Sequence, residues 1–504
     1  MMEFSRRGFL RNASLAGGAV ALLGAGSSAL AASAKHDDMT ASSGHDTNFD
    51  VIIVGGGFAG MMAAIELAAE RPDARVALIE RNAYLGGSLR LSDGFFIGFS
   101  ERYNEDPADC ATPDQMLSMI SAAAQDVVDH DYAQMKTPLN EQLIRDVFAE
   151  MPDVIGDLLL MGVPFQKPLD TSSPFATGAY APDVFAVGTD GLGATFADAV
   201  EAHLRETAVD IRLEAQVSGL IVEDGAVVGV AVEQQGKTSE LRAPAVLLAT
   251  GGFAASPEKI AEYLPAFKDC VFYPNPGATG SAIDFTRAFG TPLVSDGVFG
   301  GLNAADETFT ITNCHFLVNE RGERFFNEAQ NWYISLWPVV QNTQAASGWC
   351  ICDADYVQRN PEEAAVKLEA GTLVEYASLE ELCHATGIDQ AGLKKTIDAY
   401  NTALDHGEDP AYGLPASEAN RVASAPFYAE KTTSWCFGTI KGLATDTSCR
   451  ILDEKGTPVP GLWAAGEVMA GNALFGQYPG GGSGNSFAGN SGRHAARMII
   501  DEAL

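Results

Sequence analysis

The sequence predicts an α/β fold: a mainly parallel sheet whose chain is interrupted by a second, mixed α+β domain. Three observations predict it. Val51-Ile52-Ile53-Val54 runs straight into Gly55-Gly56-Gly57, as a buried parallel strand entering a tight turn does. Strand–glycine units recur at Ala245–Phe253 and Gly461–Glu467. Between these two units, residues 293–435 change texture, with more aromatics and mixed short elements.

The first element is not part of the mature fold on this reading. Ser5-Arg6-Arg7-Gly8-Phe9-Leu10 is a twin-arginine pattern, followed by a weakly apolar stretch to Leu30 and Ala-x-Ala sites at Ala29–Ala31 and Ala32–Ala34. We expect residues 1–34 to be an export signal read by the twin-arginine machinery, placing the chain in the periplasm or another extracytoplasmic space. A membrane anchor is the rival, but the stretch is short and rich in glycine and serine. Residues 35–48 are polar and read as a linker.

Next comes the unit around Gly55, Gly57 and Gly60. Their spacing suits a tight turn, close approach of backbone to a pyrophosphate, and close packing of helix on strand. Arg75–Ile79 is a second apolar strand ending in Glu80, twenty residues after Gly60. An acidic residue there can accept the hydroxyl protons of an adenosine ribose. We read this as an ADP-binding βαβ unit, against the alternative of a glycine turn and a surface glutamate.

Gly86-Gly87-Ser88 and Ser92-Asp93-Gly94 form a loop able to present N–H groups and hydroxyls to a phosphate or a polar ring edge; an ordinary turn cluster is the alternative. Residues 114–165 have helical periodicity with a break at Thr137-Pro138. Residues 193–207 read as helix, 210–213 as strand, and 216–222 with 226–234 as a hairpin around Glu223-Asp224-Gly225. The Ala245–Phe253 unit returns to the first sheet. Leu379 to Asp405 reads as two helices, and a helix to Ala503 closes the chain.

Composition narrows the function classes. The formal charge is -34, which argues against nucleic acid and anionic membranes as partners. The eight cysteines include no Cys-x-x-Cys-His haem site and no cluster spacing, and the eight histidines show no metal-ligand spacing. We therefore assign no metal. Alternation along Trp349-Cys350-Ile351-Cys352 puts both cysteines on one strand face, as small buried hydrophobes.

Taken in order, Gly55–Gly60, Glu80, Gly86-Gly87-Ser88, Ala249-Thr250-Gly251-Gly252-Phe253 and Ala464-Ala465-Gly466-Glu467 resemble the FAD-dependent fumarate reductase flavoprotein superfamily. That superfamily includes flavocytochrome c fumarate reductases, urocanate reductases and 3-ketosteroid dehydrogenases. The resemblance implies a Rossmann-type FAD-binding domain in two parts, 49–292 and 436–504, interrupted by an α+β capping domain, 293–435. It implies FAD held without a covalent bond by Gly55, Gly57, Phe58, Ala59, Gly60, Glu80, Arg81, Gly86, Gly87, Ser88, Asp93 and Gly94. Val217 would lie near the adenine. Ala249, Thr250, Gly251, Gly466, Glu467, Ser483 and Gly484 complete the set, with Glu467 toward the ribityl–phosphate side.

Departures from the family pattern are as telling. Where fumarate reductases carry an arginine after Arg-Phe-x-Asn-Glu, Trp332 follows Arg324–Glu328. The histidine of His-x-Met-Gly-Gly is replaced around Gly438–Gly442, and the arginine of Asn-Arg-Leu-Gly-Gly becomes Tyr478. Without those cations two substrate carboxylates would be poorly paired, so fumarate is not the expected substrate. Tyr478-Pro479-Gly480-Gly481-Gly482 resembles the Tyr-Pro-Gly-x-Gly stretch of 3-ketosteroid dehydrogenases. That resemblance implies that Tyr478 and the Gly482 N–H polarise a ketone and that Tyr333, after a one-residue slip, moves the proton. Arg321 and Arg324 read as surface or structural, and His315 as a core histidine.

The expected function is an exported FAD enzyme reducing a C=C bond conjugated to a carbonyl. Its electrons would come from an external cytochrome or a quinol-linked membrane partner. The alternatives are the reverse reaction, ketosteroid-type dehydrogenation, and a flavin electron carrier without a substrate.

Overall fold

The computed structural model describes residues 47–97, 112–165, 177–178, 181–187, 192–304, 316–328, 336–407, 409, 411–415, 417 and 419–504. The expected export signal, His315, Trp332 and Tyr333 lie outside them.

Strand β1 (Val51–Val54) is buried at every residue. Helix α1 (Phe58–Glu70) follows, and β2 (Val76–Ile79) returns parallel to β1, with Val51 opposite Val76 and Val54 opposite Ile79. Four-residue strands that are wholly apolar are what a sheet covered on both faces requires. Strand β3 (Asp210–Arg212) lies outside β2, and β4 (Ala245–Leu248) comes back parallel on the other side of β1. Strands β5 (Val298–Ala304) and β6 (Phe427–Thr439) belong to a second sheet. The chain then re-enters the first with β7 (Arg450–Leu452) and β8 (Pro458–Ala464), and ends in helix α2 (Ser483–Ala503).

The first sheet has the order β7–β8–β4–β1–β2–β3, and within it only β7 and β8 pair antiparallel. Chain direction across the sheet reverses between β1 and β4. That is the position where the carboxyl ends of open α/β sheets leave a crevice for a ligand. Helix α2 is fastened to the sheet's helices by charge: Arg497 reaches Glu66 on α1 and Glu150, each at 2.8 Å.

The expected hairpin is present as Ala215–Glu223 and Ala226–Gln234. Asp224 and Gly225 have φ of 50° and 81°, the left-handed pair that a two-residue hairpin turn needs. A third strand, Lys237–Arg242, extends it. Its first four residues are exposed, so the hydrophobic pattern gives no sign of it.

In the second sheet β6 is the central strand. It pairs parallel to Val271–Phe272 and antiparallel to β5, Trp349–Asp353 and Leu373–Tyr376. This sheet extends past both expected boundaries, 293 and 435: Val271–Phe272 precedes the first, and β6 runs through the second to Thr439. The sequence texture followed aromatic content, whereas strand ends follow hydrogen-bond pairing. The two helices expected over 379–405 are Leu379–Thr386 and Gln390–Asp405, with Ser378 and Asp389 accepting the N–H groups of Glu381 and Gly392 at their starts.

Candidate active site

A cavity of about 2540 Å³ runs from the carboxyl ends of β1, β2 and β4 to the face of β6. Single small-ligand sites occupy about 300–1,000 Å³, so this one has room for a dinucleotide and a second molecule together.

At its first end, β1 turns through Gly55 into α1. A Cβ on Gly60 would lie 2.0 Å from the Gly55 carbonyl oxygen, so the start of α1 presses on the turn as only glycine permits. Gly57 caps α1 without a side-chain bond. The helix therefore presents its first N–H groups, and the positive end of its dipole, to the cavity. The Gly86 N–H donates to the Gly56 carbonyl at 2.8 Å, which lays the Gly86-Gly87-Ser88 loop against the same turn.

Glu80, buried at the end of β2, accepts the Gly56 N–H through Oε2 at 2.8 Å and the Asn82 N–H through Oε1 at 2.7 Å. Burial raises its pKa, opposed by those two donors. Glu80 borders the cavity, and a carboxylate has more acceptor sites than these bonds use. Beside it the Thr250 hydroxyl, just past β4, is buried with no partner among the described residues. A buried hydroxyl at a cavity wall without a bond is the mark of a missing polar neighbour.

Glu467 follows β8 and is half-buried at the cavity wall. Its Oε1 accepts the Thr439 N–H at 2.7 Å and the Thr439 hydroxyl at 3.3 Å, tying the end of β6 to the first sheet. Burial raises its pKa.

Tyr478 and Asp93 meet at the far end. The Tyr478 hydroxyl accepts the Gly484 N–H at 3.3 Å, and the Gly482 N–H acts on the same oxygen. Burial raises the phenol pKa, and the charge of Asp93 adds to that rise. A neutral phenol carries a proton that it can donate. Asp93 opens onto the cavity while lying deep in the molecule, and burial raises its pKa as well. Its segment is clamped to the start of α2: Asn485 donates to the Phe95 carbonyl at 2.8 Å and to the Ser92 hydroxyl at 3.3 Å. Gly482, at φ 84°, is what lets the chains come so close; a Cβ there would sit 2.9 Å from the Phe96 nitrogen.

Most of the expected contact residues line this one cavity, from Gly55 and Glu80 through Val217 and Thr250 to Glu467 and Gly484. Gly60, Gly86, Gly94 and Ser483 do not: the glycines shape the turns, and the Ser483 hydroxyl is spent on the Gly480 carbonyl at 2.8 Å. Tyr333 lies outside the described residues.

Sequence reasoning missed an entire wall. On β6, Thr432, Ser434 and Cys436 are fully buried, whereas Lys431, Thr433, Trp435 and Phe437 border the cavity. Tyr273 stacks on Trp435 with ring centroids 4.3 Å apart, and Phe299 meets Tyr478 edge-on at 5.4 Å. The arginines that border the cavity among the described residues, Arg81 and Arg90, are at the nucleotide end, where Arg90 is bound to Asp198 and Glu201.

Residues 50–484 match the FAD binding domain family. The chain is 26% identical over 443 residues to the fumarate reductase (cytochrome) of Shewanella frigidimarina, covering 86% of this chain and 73% of that protein. It is 26% identical over 564 residues to 4-oxocyclohex-2-ene-1-carboxylate 5-dehydrogenase of Sinomonas cyclohexanicum, covering 89% and 94%. In fold it is similar to 3-ketosteroid-Δ4-(5α)-dehydrogenase of Rhodococcus jostii RHA1, with a TM-score of 0.69 at 23% identity over 91% of this chain and 99% of that one.

Proposed function

This chain belongs to the FAD-binding-domain family, and from that premise we propose that it reduces a C=C bond conjugated to a carbonyl on an apolar, ring-bearing substrate. It is an FAD-dependent oxidoreductase acting on CH–CH bonds. The residues present suit the cofactor. Glu80 would take the ribose hydroxyls, the open start of α1 the pyrophosphate, and the Thr250 hydroxyl, buried without a partner among the described residues, a polar group of the dinucleotide.

When bound in its reduced form, FAD supplies a hydride. The chain's part is to polarise the carbonyl and deliver a proton. The observation that carries the reading is the Tyr478 hydroxyl, neutral and backed by N–H groups, in a cavity that Phe299, Trp435 and Phe437 also line. Donating to the carbonyl oxygen, it stabilises the enolate charge that develops as the far alkene carbon gains the hydride. The nearer carbon then takes a proton, a role we give to Tyr333. Hydride and proton together saturate the bond.

The aromatic wall, and the absence of an arginine at this end among the described residues, favour a ring enone over a dicarboxylate. The same site run backwards would dehydrogenate a saturated ketone, as the name of the Sinomonas relative describes for that protein. We further propose that the twin-arginine signal carries the loaded protein out of the cytoplasm. Electrons then come from a cytochrome or quinol-linked partner, as a cytochrome figures in the name of the Shewanella relative.

Direction is tested by assaying one enone and its saturated ketone in parallel. We expect reduced viologen to drive turnover of the enone faster than a dye acceptor drives turnover of the ketone. Faster dye-linked oxidation would reverse the assignment.

A further inference from the structure

We propose that Lys431 is a specificity residue that binds the anionic end of an elongated substrate, so that this enzyme selects ring enones carrying a carboxylate far from the reacting bond. The inference deepens the function proposed above and rests on it.

Successive residues of a strand point to opposite faces, and the face of β6 bordering the cavity carries Lys431, Thr433, Trp435 and Phe437 in order. At the Phe437 end the strand runs into Gly438, whose Cβ would lie 2.7 Å from the Glu467 carboxylate. Phe299, packed edge-on against Tyr478, belongs to the same end. Trp435 with its stacked partner Tyr273 forms the middle. Lys431 is at the outer end, where Ser347 also borders the cavity with its hydroxyl already donated to the Thr432 carbonyl at 2.7 Å. Six residues of extended strand separate Lys431 from Phe437, roughly 20 Å. A molecule in contact with Tyr478 and lying along the rings reaches the lysine only if it is long.

Charge singles out this lysine. The chain carries 32 basic against 66 acidic residues, and the other cavity cations are engaged. Lys259 is bound to Asp284 at 2.9 Å, Arg90 to Asp198 and Glu201, and Arg81 to the Thr279 hydroxyl at 3.1 Å. Asp269, the carboxylate at the outer part of the cavity, is bound to Lys268 at 2.6 Å. The Lys431 ammonium makes no ion pair or hydrogen bond among the described residues, its backbone being paired with Trp349. A lone ammonium at the end of an apolar slot, in a strongly acidic protein, is arranged to meet a carboxylate brought in by a ligand. A dicarboxylate as short as fumarate could not touch both this lysine and Tyr478.

The test compares a matched pair on the flavin-loaded enzyme: 3-oxochol-4-en-24-oic acid and its methyl ester. Binding to the oxidised enzyme is followed by the change in flavin absorbance, and turnover by the viologen assay. We expect the wild type to favour the acid by about two- to fivefold, the worth of an exposed ion pair. Lys431→Met, which keeps the aliphatic stem, should bring the acid-to-ester ratio of Kd and KM close to one, and Lys431→Arg should restore it. Added salt should weaken the preference.

Acid and ester bound equally by the wild type would overturn the proposal, and so would a preference that survives in Lys431→Met. Turnover of both without preference would overturn this inference and leave the function standing. A Lys431-dependent preference in binding without turnover would uphold the charged subsite and reject the reduction of such enones.

Discussion

Replacing Tyr478 by phenylalanine lowers kcat by about 10²–10³-fold, the usual cost of removing one donor from a developing oxyanion, while the bound flavin is retained. The hydroxyl is the only atom lost. The ring keeps its edge contact with Phe299, and the chain around it is held by other bonds, such as Gln477 to Asp126 at 2.7 Å. The loss should fall on kcat more than on KM, because the hydroxyl is worth most once charge has built up on the substrate oxygen. Flavin content is read from the ratio of flavin to protein absorbance, and kcat from the viologen assay. A kcat within threefold of the wild type would take Tyr478 out of the chemistry.

Arg324→Ala is expected to destabilise the protein by about 3–5 kcal/mol, the cost of leaving buried carboxylates without their cation. Arg324 Nε donates to Glu328 Oε1 at 2.7 Å and Nη2 to Asp409 Oδ2 at 2.9 Å, and the three side chains are almost wholly buried. The guanidinium also lies over the rings of Tyr400 and Tyr412, at 4.6 and 5.3 Å. At Glu328 burial wins and its pKa is raised. At Asp409 the pull of Arg324 and two N–H groups outweighs burial and its pKa is lowered. Urea unfolding monitored by tryptophan fluorescence measures the effect, with Arg321→Ala as the comparison. Arg321 is exposed and pairs with Glu320 and Glu323 at the surface. An Arg324→Ala variant as stable as Arg321→Ala would show that the cluster contributes nothing.

This cluster shows what a sequence can and cannot disclose. Arg324 was legible as structural, but its third member, Asp409, lies 85 residues away in a stretch with no pattern of its own. The nucleotide end was easy to read because its chemistry is local. Glycines, a strand and an acidic residue within some thirty positions define the turn, the helix start and Glu80. The alternation at Cys350 and Cys352 was equally local, and both side chains fall in one core cluster while Ile351 falls in another.

The substrate end resisted for a physical reason. A strand normally shows its apolar residues to the core and its polar ones to solvent. In β6 the small polar side chains of Thr432 and Ser434 are buried and bonded, whereas Trp435 and Phe437 face the cavity. The alternation is real but its sense is inverted, because a ligand cavity replaces solvent. Tyr273 and Trp435 are also far apart in sequence and meet only through the pairing of Val271 with Trp435. The electrostatic influence of Asp93 on Tyr478 likewise depends on Asn485 joining two distant segments.

On the function proposed, reduced flavin in this protein gives its hydride to a carbon–carbon double bond beside a carbonyl. The most direct test is to photoreduce the flavin anaerobically, add single compounds from a panel of ring enones and unsaturated acids, and follow the return of the oxidised flavin spectrum. The account predicts rapid reoxidation by ring enones, with one saturated ketone formed per flavin, and little or none by fumarate. Reoxidation by one-electron acceptors alone, with every organic compound inert, would contradict it.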